Sequence, residues 1–480
     1  MPLTTPSVPV IVDGHKLSPE QCKIYYWVMK KMDNNNTTPI YTLVHGAAGS
    51  GKSLLLKAIR NGLQEKLGLD SCISTAPTAI ASQLIGSRTI HSTFVLKWGK
   101  HRQGENIDVE DFLDEIPDYK MNILSRMRNS EVVLIDVINY VSNVDFARID
   151  HCLQEVTGVR RPFGGLSVIV FGDFHQLPPK GDWIFEDLPE SFIEKQMKVI
   201  PSSSKLWNLF KIVELPELNY RLTDETQKDV SIAMRHGDNQ EGLYNYLKDI
   251  CSICLDIHQT KEKIVKEFQL LSLRTGSENI AVLAPSNDIV DDINLSLVSS
   301  EHSTRRFPPV YSAGLEDCKN WNSAQQDVYV AHGSPVVCTV NYDEKIKNGA
   351  MGHVVDFNDE TIIVTFSTGI IDIHRLPFKE GNQMFLQFPL RLGYAHTIER
   401  AQGATFDGII LVRNETWDRE EINSWREHQD GFGEIYTAMS RARDFENCRI
   451  TPMRFLGWDV SKKVEEEITR MRRDCRELMD

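Results

Sequence analysis

The stretch Gly46-Ala47-Ala48-Gly49-Ser50-Gly51-Lys52-Ser53 constrains this chain more than any other. It follows an apolar run, Ile40 to His45, and precedes a helical pattern from Leu54, so G-x-x-x-x-G-K-S joins a predicted strand to a predicted helix. In that setting small residues let successive backbone N–H groups turn inward around a phosphate, and the helix N-terminus adds positive potential. Gly46, Gly49, Ser50 and Gly51 supply the cradle, Lys52 reaches for the β- and γ-phosphates of a nucleotide such as ATP, and Ser53 offers a hydroxyl to Mg²⁺. The competing reading, a plain glycine-rich turn into a helix, is disfavoured by the match at every fixed position.

Further apolar runs, Cys72 to Ala76, Val132 to Ile135 and Leu166 to Phe171, alternate with helical stretches. This predicts a parallel sheet with helices on both faces, whose ligands bind beyond the carboxyl ends of the strands. Val133-Leu134-Ile135 ends in Asp136, a carboxylate suited to holding Mg²⁺ through its water shell opposite the phosphate loop. The block Gly172-Asp173-Phe174-His175-Gln176-Leu177-Pro178-Pro179 leaves another strand and sets the neutral Gln176 amide where a γ-phosphate can be sensed.

With 480 residues, roughly two to four domains are expected. A formal net charge of -14 argues against loose electrostatic coating of nucleic acid and leaves room only for a local basic groove. Met1 to Gly14 has neither the basic start nor the apolar stretch of a signal peptide, and no run of about 18 apolar residues occurs, so a soluble intracellular protein without a membrane partner is expected. Cys251 and Cys254 are the one close cysteine pair, and no second pair at ligand spacing completes a zinc site. The pattern breaks between Phe94 and Glu131 around Lys97, Trp98 and Lys100, predicting an insertion. A second α/β block starts near Pro201 with strands at Ile280 to Ala284 and Gly408 to Val412, interrupted by four β-rich runs between Gly333 and Pro377 that fit a small barrel. From Ser461 the mixed charges predict a solvated helix.

These motifs resemble, in order, the superfamily 1B DNA helicases of the PIF-type and RecD-like branch. Leu17-Ser18-Pro19-Glu20-Gln21 is similar to the segment whose glutamine contacts adenine. Ala76 to Ala81 and Gly86 to Phe94 resemble the single-strand DNA motifs of the first motor domain, which implies DNA contacts for Pro77, Thr78, Thr89, His91 and Phe94. Asn219-Tyr220-Arg221 resembles a motif of the second motor domain whose arginine touches the γ-phosphate from across the cleft. Thr397 to Thr405 resembles the next motif, implying nucleotide contacts for Gln402 and Gly403 and DNA contacts for Thr397 and Thr405. Tyr436 to Arg441 resembles the last, with Arg441 as the arginine finger.

The resemblance implies two RecA-like phosphate-loop motor domains, with a small hairpin insertion in the first and an SH3-like β-barrel in the second. On this sequence the first domain is 1–200 with its insertion at about 95–130, the second is 201–332 and 378–460, the barrel is 333–377 and the terminal helix is 461–480. It also implies a monomeric 5′-to-3′ motor using ATP and Mg²⁺ on single-stranded DNA and DNA junctions, in replication, recombination or repair, and the sequence does not choose between the nucleus and a viral replication site. Two positions depart from the pattern. Glu399-Arg400-Ala401 replaces a His-Lys-Ser run, and Val137 follows Asp136 where the family has the glutamate that acts as general base. Two readings therefore stand, a DNA helicase and an ATP-binding clamp impaired in hydrolysis.

Overall fold

The computed structural model describes residues 9–33, 38–94, 96, 127–188, 203–251, 260–301, 303–311, 319–320, 327–343, 345–380, 383–413, 433–451 and 460–474. Most of the insertion expected around Trp98 lies outside them, as does Cys254. The chain divides into two compact units. The first comprises Met1–Gln240, Asn423–Ser440 and Gly457–Asp480, and the second Glu241–Ile422 and Arg441–Leu456.

The first unit is built on β1 (Tyr41–His45), β2 (Cys72–Ala76), β3 (Arg88–Thr89), β4 (Val132–Ile135), β5 (Ser167–Gly172) and β6 (Lys211–Glu214). They form one parallel sheet in the order β3-β2-β4-β5-β1-β6. Every residue of β4 and β5 is buried, as expected for strands covered on both faces, which read as continuous apolar runs instead of alternating ones. Lys211–Glu214 pairs with β1, so the first sheet ends past residue 200. Helices α1 (Pro19–Asp33) and α2 (Lys52–Leu67) pack on one face, where Ile24, Val28, Leu55, Ile59 and Leu63 meet Val44, Leu134 and Phe171. On the other face α3 (Asn143–Thr157) starts at Ser142, whose hydroxyl accepts from Asp145 N–H, and ends at Gly158 in the left-handed region.

Two later stretches complete this unit, α4 (Glu434–Met439) and α5 (Lys462–Asp474). The terminal helix differs from the solvated one expected. Val464, Ile468 and Met471, spaced four and three residues apart, form a stripe buried in the same core as Phe146, Trp207 and Phe210. Trp207 Nε1 donates to Glu467 at 2.8 Å, and Arg472 donates twice to Glu214 at 2.7 and 2.9 Å.

The second unit has its own parallel sheet, with the order Ala395–Thr397, Ile280–Ala284, Gly408–Val412 and Cys448–Thr451. Helices Thr260–Thr275 and Asn287–Ser299 cover it through Ile264, Leu271, Ile293 and Leu297. A five-stranded antiparallel sheet interrupts this α/β layer in the order Gly369–His374, Thr361–Phe366, Met351–Phe357, Pro335–Cys338 and Leu390–Leu392. Its core reaches beyond 333–377 on both sides, to Phe307 before and to Phe385 and Phe388 after, because the four expected runs alone leave one sheet face uncovered. Cys251 is buried, with its thiol donating to Phe445 O.

Candidate functional site

The loop between β1 and α2 follows from its glycines. Gly49 and Gly51 have φ of 80° and 81°, in the left-handed region. A Cβ at Gly49 would collide with the Asn219 side chain, and one at Gly51 with the Gln21 amide. A side chain at either position is strained. The Gln21 amide is fully engaged with protein: Oε1 accepts from Ser18 N–H and Nε2 donates to Ser50 O, both at 2.9 Å. It braces the loop from behind. Tyr220 N–H donates to Gly49 O at 3.1 Å, and Arg221 Nη1 donates to Ser440 O at 2.8 Å. Asn219 to Arg221 thus lie in the first unit, beside the phosphate loop, and not in the second as the resemblance implied; the strand that precedes them joins the first sheet.

At the helix start, Lys52 Nζ folds back to donate to Gly46 O and Ala47 O at 2.7 and 2.8 Å. Loss of water around the ammonium pushes its pKa down to about 8, although Asp173 and Asp136 oppose the change. Ser53 Oγ donates to Asp136 Oδ2 at 2.6 Å, and Val137 N–H donates to Asp136 Oδ1 at 2.9 Å. Burial raises the Asp136 pKa against the pull of Ser53, Lys52 and the Val137 N–H. A hydroxyl and a carboxylate in contact beside a glycine cradle fit a hydrated Mg²⁺ with a bound triphosphate, whose charge would also draw Lys52 off the loop carbonyls. The Ser50 hydroxyl, buried in the cradle, has no partner among the described residues.

Beyond β5, Asp173 is fully buried and gathers donors from three elements. Arg235 Nη2 donates to its Oδ1 at 3.0 Å, Tyr436 Oη donates to its Oδ2 at 2.9 Å, and His175 lies 3.3 Å from Oδ1 through both its backbone N–H and Nδ1. Burial works against the charge, but Arg235, His175 and Lys52 hold the carboxyl well below the usual range. Gln176 Nε2 reaches Asp173 at 3.5 Å, and its backbone packs so closely on Gly433 that a Cβ there would clash.

A match to the PIF1-like helicase family covers residues 16–240, which include the phosphate loop, Asp136 and Asp173. The ATP-dependent DNA helicase Pif1 of Bdellovibrio bacteriovorus is 26% identical over 86% of this chain and 83% of its own length. The ATP-dependent DNA helicase RRM3 of Saccharomyces cerevisiae is 31% identical over 72% of this chain and 43% of its own. The crystal structure of Pif1 helicase from Bacteroides in complex with ADP-AlF3 and ssDNA superimposes with a TM-score of 0.69 at 23% identity, covering 94% of this chain and 97% of that one. The chain is similar to the PIF1-like helicases. It spans well under two thirds of the yeast relative, and 58% of the Xenopus laevis helicase PIF1.

The other expected site residues fall in both units. Thr78 and Thr89 cap short helices, accepting from Ala81 and Ser92 N–H, and Pro77 and His91 flank them. Phe94 corrects its expected contact with bases, because its ring is buried in the core with Phe146 and Trp183. In the second unit Thr397 is buried and its hydroxyl accepts from Arg400 N–H, while Thr405 O accepts from Asn279 Nδ2. Gln402 is fully buried with neither amide atom partnered among the described residues, next to Gly403 at φ 93°. Arg441 is buried, and its carbonyl accepts from Phe406 N–H. Sequence reasoning gave no role to Asp173 as a hub, nor to Arg235, His45 or Glu465. Asp173 stood in a motif already singled out, whereas Arg235 and Glu465 carry no local signal.

Proposed function

We propose that this chain is an ATP-dependent DNA helicase that moves along single-stranded DNA from 5′ to 3′ and acts on DNA junctions in replication, recombination or repair. The contact of Ser53 with Asp136 at a glycine cradle carries the reading, in a chain whose relatives are named ATP-dependent DNA helicases. Lys52 neutralises the β- and γ-phosphates, Gln176 senses the γ-phosphate, and Gln21 steadies the loop on the adenine side. Ser53 and Asp136 would hold Mg²⁺, which screens the phosphate charge. Arg221, Arg441, Gln402 and Gly403 respond to the nucleotide, and the unpartnered Gln402 amide supports a ligand there. Pro77, Thr78, Thr89, His91, Thr397 and Thr405 line the path of the strand. The five-stranded sheet is read as an SH3-like barrel, and the motor acts as a monomer.

The alternative, an ATP-binding nucleic-acid clamp impaired in hydrolysis, has no support among relatives named ATP-dependent DNA helicases. The test is steady-state ATP hydrolysis with and without single-stranded DNA, beside strand displacement from substrates with 5′ or 3′ tails. Stimulation by DNA, unwinding from 5′ tails and loss of both in Lys52→Ala are expected. Hydrolysis indifferent to DNA, or a Lys52→Ala variant as active as the parent, contradicts the proposal.

A further inference from the structure

His175 stands between two carboxylates. Its Nδ1 lies 3.3 Å from Asp173 Oδ1, and its Nε2 lies 2.7 Å from Glu465 Oε1 on the terminal helix. From Asp173 the chain of contacts continues to Tyr436, whose hydroxyl donates to Asp173 Oδ2 at 2.9 Å and accepts from Ala48 N–H at 2.8 Å. Four side chains thus link the outer edge of a terminal helix to the backbone of the phosphate loop. All of them belong to the first unit. We propose that Glu465 is a positioning residue for the nucleotide: through His175, Asp173 and Tyr436 it sets the phosphate loop at Ala48. This rests on reading that loop as the ATP site.

The physical basis is charge alternation along the chain of contacts. Besides Asp173 and Glu465, the groups facing His175 are Arg235 and His236 from the helix Glu225–His236 and His45 from β1. His45 is neutral: burial pushes its pKa down to about 4, and its Nε2 accepts from Phe174 N–H. Arg235 is committed to Asp173 and Glu217. His236 meets Glu217 at 2.9 Å. Burial works against a charged His175, but the hydrogen bonds to Asp173 and Glu465 reverse that and raise its pKa above the usual value. An imidazolium there shares the Asp173 charge, and with the Glu465 charge removed His175 loses its proton at lower pH. Asp173 then draws harder on Tyr436 and Arg235, and the Tyr436 to Ala48 contact changes. His175, His236 and Glu465 also lie close enough to share a cation, but Arg235 Nη1 stands 3.3 Å from His236 Nε2 and its charge opposes one.

The experiment titrates the full-length chain with a fluorescent ATP analogue across about pH 6 to 9, the range in which histidines change charge. The variants are Glu465→Gln, Tyr436→Phe and the double variant. Glu465 is half exposed, so Glu465→Gln folds, and thermal melting at each pH verifies this. Affinity of Glu465→Gln is expected to match that of the parent at the acid end and to fall progressively below it as pH rises. The double variant is expected to follow Tyr436→Phe alone. A merely structural Glu465 would alter melting without this pH-dependent divergence. Parallel affinity curves for parent and Glu465→Gln, with binding lost in Lys52→Ala, overturn the relay alone. An undiminished Glu465→Gln effect in the Tyr436→Phe background also overturns it. Binding retained in Lys52→Ala removes the nucleotide site and the relay together.

Discussion

Val137 adopts φ 54° and ψ 45°, a left-handed conformation that a β-branched residue rarely takes, directly after the carboxylate that contacts Ser53. The family resemblance places a glutamate there, and Asp173, the next acid by motif position, is poorly suited to replace it. A carboxylate held well below the usual range by Arg235 and engaged by Tyr436 is a weak proton acceptor. DNA-stimulated turnover by the chain as it stands is therefore expected to fall below that of a variant with the acid restored. Val137→Glu is expected to raise ATP turnover by about 10²-fold, the lower range for general-base catalysis, with little change in nucleotide affinity. An unbranched side chain also suits this backbone better, so melting should not suffer. Steady-state hydrolysis and nucleotide titration of the two proteins side by side decide the matter. Equal turnover would place the base elsewhere. A second residue-scale expectation concerns Arg221, which donates to Ser440 O beside the loop. Arg221→Ala should retain nucleotide binding and lose most DNA-stimulated hydrolysis, which the same pair of assays reads out.

At the scale of elements, helix α5 is fastened to the first sheet by its apolar stripe and by Glu214 at the end of β6. Burial would raise the Glu214 pKa, but hydrogen bonds from His45 and Arg472 bring it down to about 2. A carboxyl with a depressed folded pKa contributes stability above its unfolded value, and that contribution is lost as pH falls through the folded pKa. Glu214→Gln should therefore melt below the parent at neutral pH, with the difference shrinking from about pH 5 downward. Thermal melts at matched pH values read this directly, and a gap that stays constant into acid would show that the charge is irrelevant. Ile468→Ala should cost about 2–4 kcal/mol through the cavity it leaves, measured as a shift in the denaturant midpoint of the first unit. The charges of this helix gave a sequence reading of a solvated surface, since Val464, Ile468 and Met471 are too few to stand out among them. Their partners, Phe146, Trp207 and Phe210, are remote in sequence, which no local pattern reveals.

At the scale of the whole molecule, a net charge of -14 confines nucleic-acid binding to local contacts. Binding is expected to favour single strands over blunt duplex and to weaken with salt along a shallow slope that reports the few phosphates neutralised. Fluorescence anisotropy over a salt series tests this, and equal affinity for both forms would contradict it. Cys72–Ala76, Val132–Ile135, Ile280–Ala284 and Gly408–Val412 were legible as largely apolar runs and lie where the sequence places them, whereas the short or polar parallel strands Arg88–Thr89, Lys211–Glu214, Ala395–Thr397 and Cys448–Thr451 carried no such signal. The phosphate loop was legible because its chemistry is local, from Gly46 to Ser53. Illegible were Arg221 beside that loop and the Glu465 to His175 contact, because each depends on how distant stretches return to one sheet.

That return has a consequence for how the protein is made. His175 and Glu465 are 290 residues apart, and the core around Phe146 and Trp207 includes side chains from α5. A ribosome releases residues from the N-terminus at about 5–20 per second, so the nucleotide-loop unit leaves the exit tunnel long before the helix that completes it. Throughout that interval the Phe146 and Trp207 surface lacks its cover and is open to nascent-chain chaperones, whose grip should slacken only as Val464 to Met471 emerge.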